Sequence, residues 1–87
     1  MPASNVDEVL VGEIRYFPYS YVPDGFLPCN GQTLLIKDYQ PLYALLEDRF
    51  GGTKDVTFLL PNLNKNLVDE NCKYYIACKG NWPARTD

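Results

Sequence analysis

The chain has 87 residues, a net charge of −3, no histidine and three cysteines. That length gives one domain whose core supplies only about 3–5 kcal/mol, so oligomerisation, a metal or disulfides are the natural supplements. The negative balance excludes attraction to a phosphate backbone, and the missing histidine removes the commonest general base and the commonest transition-metal ligand.

The N-terminus, MPASNVDEVL, has neither a basic lead nor a long apolar core, so no signal peptide is expected and synthesis is assigned to the cytoplasm. No run reaches the roughly 20 apolar residues needed to span a bilayer, so no membrane insertion is expected. Residues 1–8 are polar and aperiodic and read as a flexible tail, leaving residues 9–87 as a single domain.

A strand is predicted over residues 10–17, with Ile14 and Tyr16 on one face and Glu13 and Arg15 on the other. Pro18 ends it, because proline cannot donate to a ladder. Tyr16, Tyr19 and Tyr21 then crowd the approach to a turn at Pro23-Asp24-Gly25. These tyrosines either cover the core from the loop side or form, with Trp82, a contact surface for a sibling chain or a glycan.

Residues 26–35 carry Asn30-Gly31 between two short apolar runs, the preferred pair for a two-residue hairpin turn. An imperfect hairpin is therefore predicted, with Pro28 in its first arm. A helix follows at about 39–50, with Asp38 as N-cap, Pro41 in the first turn and Gly51 as the stop. Its apolar stripe is Tyr39, Leu42, Tyr43, Leu46 and Phe50, widened by Leu45.

Residues 56–60 form a short apolar strand closed by Pro61, and the asparagine-rich stretch 62–71 reads as loop. The last strand is predicted at 72–79. It alternates cleanly, with Cys72, Tyr74, Ile76 and Cys78 on one face and Lys73, Tyr75, Ala77 and Lys79 on the other. The odd cysteine count without CxxC spacing favours free, buried thiols over a disulfide framework. Trp82 is expected to fold back over the sheet. The fold class is α+β, a short antiparallel or mixed sheet packed on one helix.

No catalytic constellation emerges. Gly51-Gly52-Thr53-Lys54 follows a helix and lacks phosphate-loop spacing. Ser4 and Ser20 have no base to serve them. Carboxylate pairs such as Asp24 with Glu13, or Glu47 with Asp55, could act only if they met in a cleft. No enzyme, cofactor or metal is therefore expected.

What the chain does carry is an ordered set of segments. Gly12-Glu13-Ile14-Arg15 leads to Pro23-Asp24-Gly25-Phe26 and to Cys29-Asn30-Gly31-Gln32. Tyr39-Gln40-Pro41-Leu42-Tyr43-Ala44-Leu45-Leu46 follows, then Phe50-Gly51-Gly52, then Thr57-Phe58-Leu59-Leu60-Pro61-Asn62-Leu63. Tyr75-Ile76-Ala77, Gly80, Trp82-Pro83 and Arg85 close the series. In order and spacing these segments resemble the phage tail collar domain family, found in short tail fibres, related tail-like particles and proteins labelled microcystin-dependent. Two departures stand out: Phe26 occupies a position where the family often has tryptophan, and Asn64-Lys65-Asn66 stands where an Arg-Gly-Arg and a long glycine-rich insertion usually follow. The resemblance implies a non-enzymatic virion component that organises homotrimeric fibres and contributes to host attachment. Its implied partners are copies of itself and other tail, baseplate or fibre proteins. A glycan- or receptor-binding adhesin using the tyrosines is the alternative, and the absent insertion weakens direct receptor reading.

Overall fold

The computed structural model describes residues 9–82. The expected tail at 1–8, together with Pro83 and Arg85, lies outside the described residues. The chain forms β1 (Ile14–Phe17), β2 (Phe26–Pro28), β3 (Thr33–Leu35), a 3-10 turn (Ile36–Asp38), α1 (Gln40–Leu46), β4 (Thr57–Leu59) and β5 (Lys73–Ala77). One sheet has the order β1-β5-β2 and the other pairs β3 with β4, every neighbour antiparallel. The α+β expectation holds.

The entry to β1 is set by Gly12. It sits at φ +86 in the third position of a tight turn whose Glu13 N–H donates to the Leu10 carbonyl at 2.9 Å. Gly12 N–H donates to the Ala77 carbonyl at 2.8 Å while Ala77 N–H donates to the Glu13 carbonyl at 2.9 Å. Two residues thus oppose one, a glycine bulge that tightens the local twist.

The predicted hairpin at 26–35 is not formed. β2 pairs with β5 (Phe26↔Ala77, Leu27↔Ile76) and β3 pairs with β4 (Leu34↔Phe58), so the two arms belong to different sheets. Asn30 instead bridges Asn62, and Gly31 N–H donates to the Pro61 carbonyl at 3.2 Å. Long-range pairing with the Pro61-Asn62 segment outweighs the local turn preference of Asn-Gly.

The helix is shorter than its periodicity suggests. Asp38 lies in the 3-10 turn, and Tyr39 is the N-cap without a side-chain cap bond. Pro41 does fall in the first turn. The helix ends at Glu47, which takes φ 53, and the chain turns so that the Gly51 carbonyl accepts Leu59 N–H at 3.1 Å. Phe50 is therefore left exposed rather than in the apolar stripe.

β5 lies at the centre, and its alternation is read correctly from sequence while its burial is not. Ile76, with Tyr74 and Cys78 partly buried beside it, faces the main core of Val11, Cys29, Leu42, Phe58 and Leu60. The other face is also covered: Tyr75 and Ala77 pack with Phe26, flanked by Val9 and Phe17. The strand is buried on both sides, not half-buried. All three cysteines are free thiols, but Cys72 lies outside the main core and only Cys29 is fully buried. Trp82 is exposed and is not folded back over the sheet.

Candidate interaction surface

The spacing Phe17, Tyr19, Tyr21 places three rings on one side of an extended segment. Phe17 and Tyr19 stack at 4.8 Å with planes 8° apart, and Tyr19 and Tyr21 stack at 5.1 Å with planes 3° apart. At its inner end Phe17 meets buried Phe26 edge-on at 5.5 Å and Tyr75 at 5.8 Å. The column thus runs from the minor core to solvent, ending in Tyr21, which is 62% exposed. Each ring pair adds about 0.5–1.5 kcal/mol beyond area burial. The Tyr75 hydroxyl reaches the Tyr19 carbonyl at 3.5 Å and anchors the middle of the column.

The four aromatic residues expected to share a surface do not. Tyr19 and Tyr21 do so. Tyr16 points from the opposite face of β1 and packs on Tyr74 at 4.6 Å. There it lines an open groove of about 430 Å3 with Leu63, Asn66, Leu67 and Val68. Desolvation and the neighbouring Cys72 thiol raise the Tyr16 hydroxyl pKa above its usual range. Trp82 makes no ring contact among the described residues. Phe17 and Tyr74, absent from the sequence-based set, are the residues that fix the orientation. The unbroken i, i+2 aromatic spacing across Pro18 was the signal for Phe17.

The family-motif residues divide by task. Leu42, Phe58 and Cys29 fill the main core, with Tyr43 and Leu46 packed against it. Phe26 sits in the minor one. Glu13 accepts the Leu10 N–H at 3.0 Å and the Arg15 Nε–H at 2.6 Å, both of which hold its carboxyl pKa below the ordinary value. Gln32 donates to the Pro28 carbonyl at 2.8 Å and accepts Asn30 N–H at 3.1 Å. Gly25 takes φ +83 in the predicted Pro23–Asp24–Gly25 turn, which Phe26 N–H closes onto the Pro23 carbonyl at 3.1 Å. Gly51 and Gly52 run beside β4, Pro61 is buried, and Leu63 is exposed.

Sequence reasoning missed Asn64. Its side-chain oxygen accepts Tyr74 N–H at 2.7 Å, while its Nδ2 donates to the Tyr74 carbonyl at 3.1 Å and to Asn30 Oδ1 at 2.9 Å. One amide side chain thereby stands in for a strand residue beside β5.

Among the described residues two strand edges remain open, with no neighbouring strand. Leu60 N–H donates to the Gln32 carbonyl and Ile36 N–H to that of Val56, which by ladder parity turns the backbone groups of Thr33 and Leu35 outward. On β1 the same parity turns out those of Ile14 and Tyr16. β2 is blunted by Pro28 and by Gln32, and the far side of β4 is occupied by the Gly51–Thr57 turn. Leu35, beside the β3 edge, also lines an open groove with Ile36, Val56 and the charged Lys37 and Asp55.

Among the described residues no group of three potential metal ligands converges, and no helix is long and apolar enough to cross a membrane. No curated protein and no solved structure matches the chain. The Phage Tail Collar Domain does match, over residues 12–68. The C-terminal similarity at 75–85 lies beyond that span. Because the match covers well over half of its length, the chain belongs to the phage tail collar domain family, a structural family of phage tails.

Proposed function

We propose that the chain is a non-enzymatic joining module of a phage tail fibre or tail-like particle, working in copies, with a trimer as the assembly state. It contributes to fibre organisation and through it to host attachment. Family membership supplies the setting. The observation that carries the joining role is the pair of open edges, β1 and β3, each flanked by exposed apolar side chains: Ile14 and Tyr16 on one, Leu35 and Val56 on the other. Such edges are templates for another chain unless blunted. A small core also gains from burying its apolar surface against copies of itself. Its neighbours in the particle are other tail, baseplate or fibre proteins, and it is made in the bacterial cytoplasm. Light scattering with chemical cross-linking tests self-association. A trimer supports it, and a clean monomer at tens of micromolar rejects it.

A second reading, an adhesin for a host-surface glycan, is favoured by one observation: the parallel-stacked Tyr19–Tyr21 pair, continued inward by Phe17 and exposed at its outer end in Tyr21. Flat aromatic faces of this kind combine an apolar ring with a polar rim. Binding to host cells or to their purified surface polysaccharide by Tyr19→Ala and Tyr21→Ala tests it. Unchanged binding dismisses the adhesin and leaves the joining role intact.

A further inference from the structure

Asn30-Gly31 makes no hairpin turn, and its chemistry is left unaccounted for by the fold. Every other asparagine in the chain precedes a residue with a side chain, whereas Asn30 precedes glycine. In such a pair no Cβ hinders attack of the glycine nitrogen on the preceding side-chain Cγ. The new N–C bond closes a five-membered succinimide. The amide nitrogen leaves as ammonia, taking up the displaced N–H proton through solvent, and water then opens the ring to aspartate or isoaspartate.

We propose that Asn30 is a latent deamidation site whose reaction is restrained by Pro61 and Asn64. Asn30 is exposed, so water and base reach it. Its reacting atoms are nevertheless tied down. The nucleophile, Gly31 N–H, donates to the Pro61 carbonyl at 3.2 Å. The electrophilic amide is held by Asn64 Nδ2, 2.9 Å from Asn30 Oδ1. The Asn62 side chain packs against Gly31, its Cβ 3.1 Å from where a Gly31 Cβ would stand, which limits backbone rotation there. Reaction therefore requires the Asn30–Asn62 bridge to open and Asn64 Nδ2 to release Asn30 Oδ1. Isoaspartate would then insert an extra main-chain carbon at the junction between the two sheets, and either product adds one negative charge. Each event records a past opening of this junction and hinders its closure.

Peptide mapping of the intact protein, incubated in mildly alkaline buffer with and without concentrated urea, tests this. Native Asn30 is expected to deamidate at least about tenfold more slowly than in the unfolded chain, the ratio that a modest local-opening free energy imposes. Asn64→Ala, while circular dichroism shows it folded, is expected to approach the unfolded rate. Equal native and unfolded rates overturn the proposal, as does a folded Asn64→Ala that reacts no faster than the wild type. Where Asn64→Ala does not fold, the wild-type comparison alone decides.

Discussion

The Asn64 side-chain amide pairs with both main-chain groups of Tyr74, accepting its N–H at 2.7 Å and donating to its carbonyl at 3.1 Å. The carbonyl has a second donor in Cys29 N–H at 3.0 Å, but the Tyr74 N–H has no second acceptor among the described residues. Asn64→Ala therefore leaves a partly buried strand amide unpaired. A loss of about 1–3 kcal/mol is expected, the desolvation penalty of one orphaned donor. Urea unfolding should show a lower midpoint with an unchanged slope, and the Tyr74 amide should exchange faster with solvent. An unaltered midpoint would mean that water replaces the amide without penalty.

That relationship also explains what was legible in the sequence. The period-2 pattern of β5 and the stripe of Tyr39, Leu42, Tyr43 and Leu46 in and beside α1 are local signals and read true, whereas Phe50 does not join the stripe. The pairing partners of β2 and β3 are not local. A one-dimensional reading sees Asn-Gly and infers a turn, whereas Cys29, Asn30 and Gly31 bond across to residues 61–64 and 74. The helix end was misread for the same reason: residues 47–50 leave the helix so that Gly51 can meet Leu59. The tyrosine set was half legible: i, i+2 spacing joins Phe17 to Tyr19 and Tyr21 and sets Tyr16 on the other face, whereas the packing of Tyr16 on Tyr74 is a long-range contact.

Gly52 and Gly51 should differ sharply on substitution by alanine. Both glycines take left-handed φ, +113 at Gly51 and +132 at Gly52, so alanine is strained at either. At Gly52 a Cβ would also stand 2.7 Å from Phe58 Cα and press on the Thr57 carbonyl. At Gly51 the nearest atom is Leu59 Cδ2, a movable side chain at 3.6 Å. Backbone strain costs about 1–3 kcal/mol at either position, and at Gly52 the clash with the β4 backbone adds to it. A small domain has a margin of about 3–5 kcal/mol, so Gly52→Ala is expected to be largely unfolded at room temperature and Gly51→Ala to remain folded. Thermal melts by circular dichroism distinguish them, and equal melting temperatures would refute the close-packing argument.

Glu13 introduces an acid dependence. Its bonds to Arg15 and the Leu10 N–H lower its pKa below 4.5 in the folded chain. The charged form is thus favoured by folding, so its contribution is present above that ordinary value and disappears as pH falls through the lower, folded value. The pair is partly exposed, which limits the effect to about 1 kcal/mol or less. Glu13→Gln should be less stable than the wild type at neutral pH and equal to it in strong acid. A difference that persists at low pH would assign the effect to packing instead.

Cys29 introduces the opposite dependence. Burial raises its thiol pKa from 9.0 to about 11. The neutral thiol is favoured by folding, so stability is complete below the ordinary value and declines as pH rises toward the folded one. Native Cys29 should resist alkylation in alkaline buffer and react after unfolding. Mass spectrometry of iodoacetamide-treated protein reads this directly, and rapid native labelling of Cys29 would show that the core opens there.

The edge of β3 gives the sharpest test of the joining role. Thr33 and Leu35 turn their main-chain groups outward, and neither side chain is buried. Leu35→Lys adds a charge of the kind that natural edge strands use against pairing, at a site where little packing is lost. Its own stability should change by less than about 0.5 kcal/mol, as at most surface positions. If copies join through this edge, the variant should sediment as a smaller species than the wild type while melting at the same temperature. A matching substitution on the other open edge, Ile14→Lys, separates the two surfaces, since only the edge in use will change the assembly. Assembly unaffected by either substitution would exclude strand pairing as the joining contact and leave the Tyr19–Tyr21 column as the surface to test next.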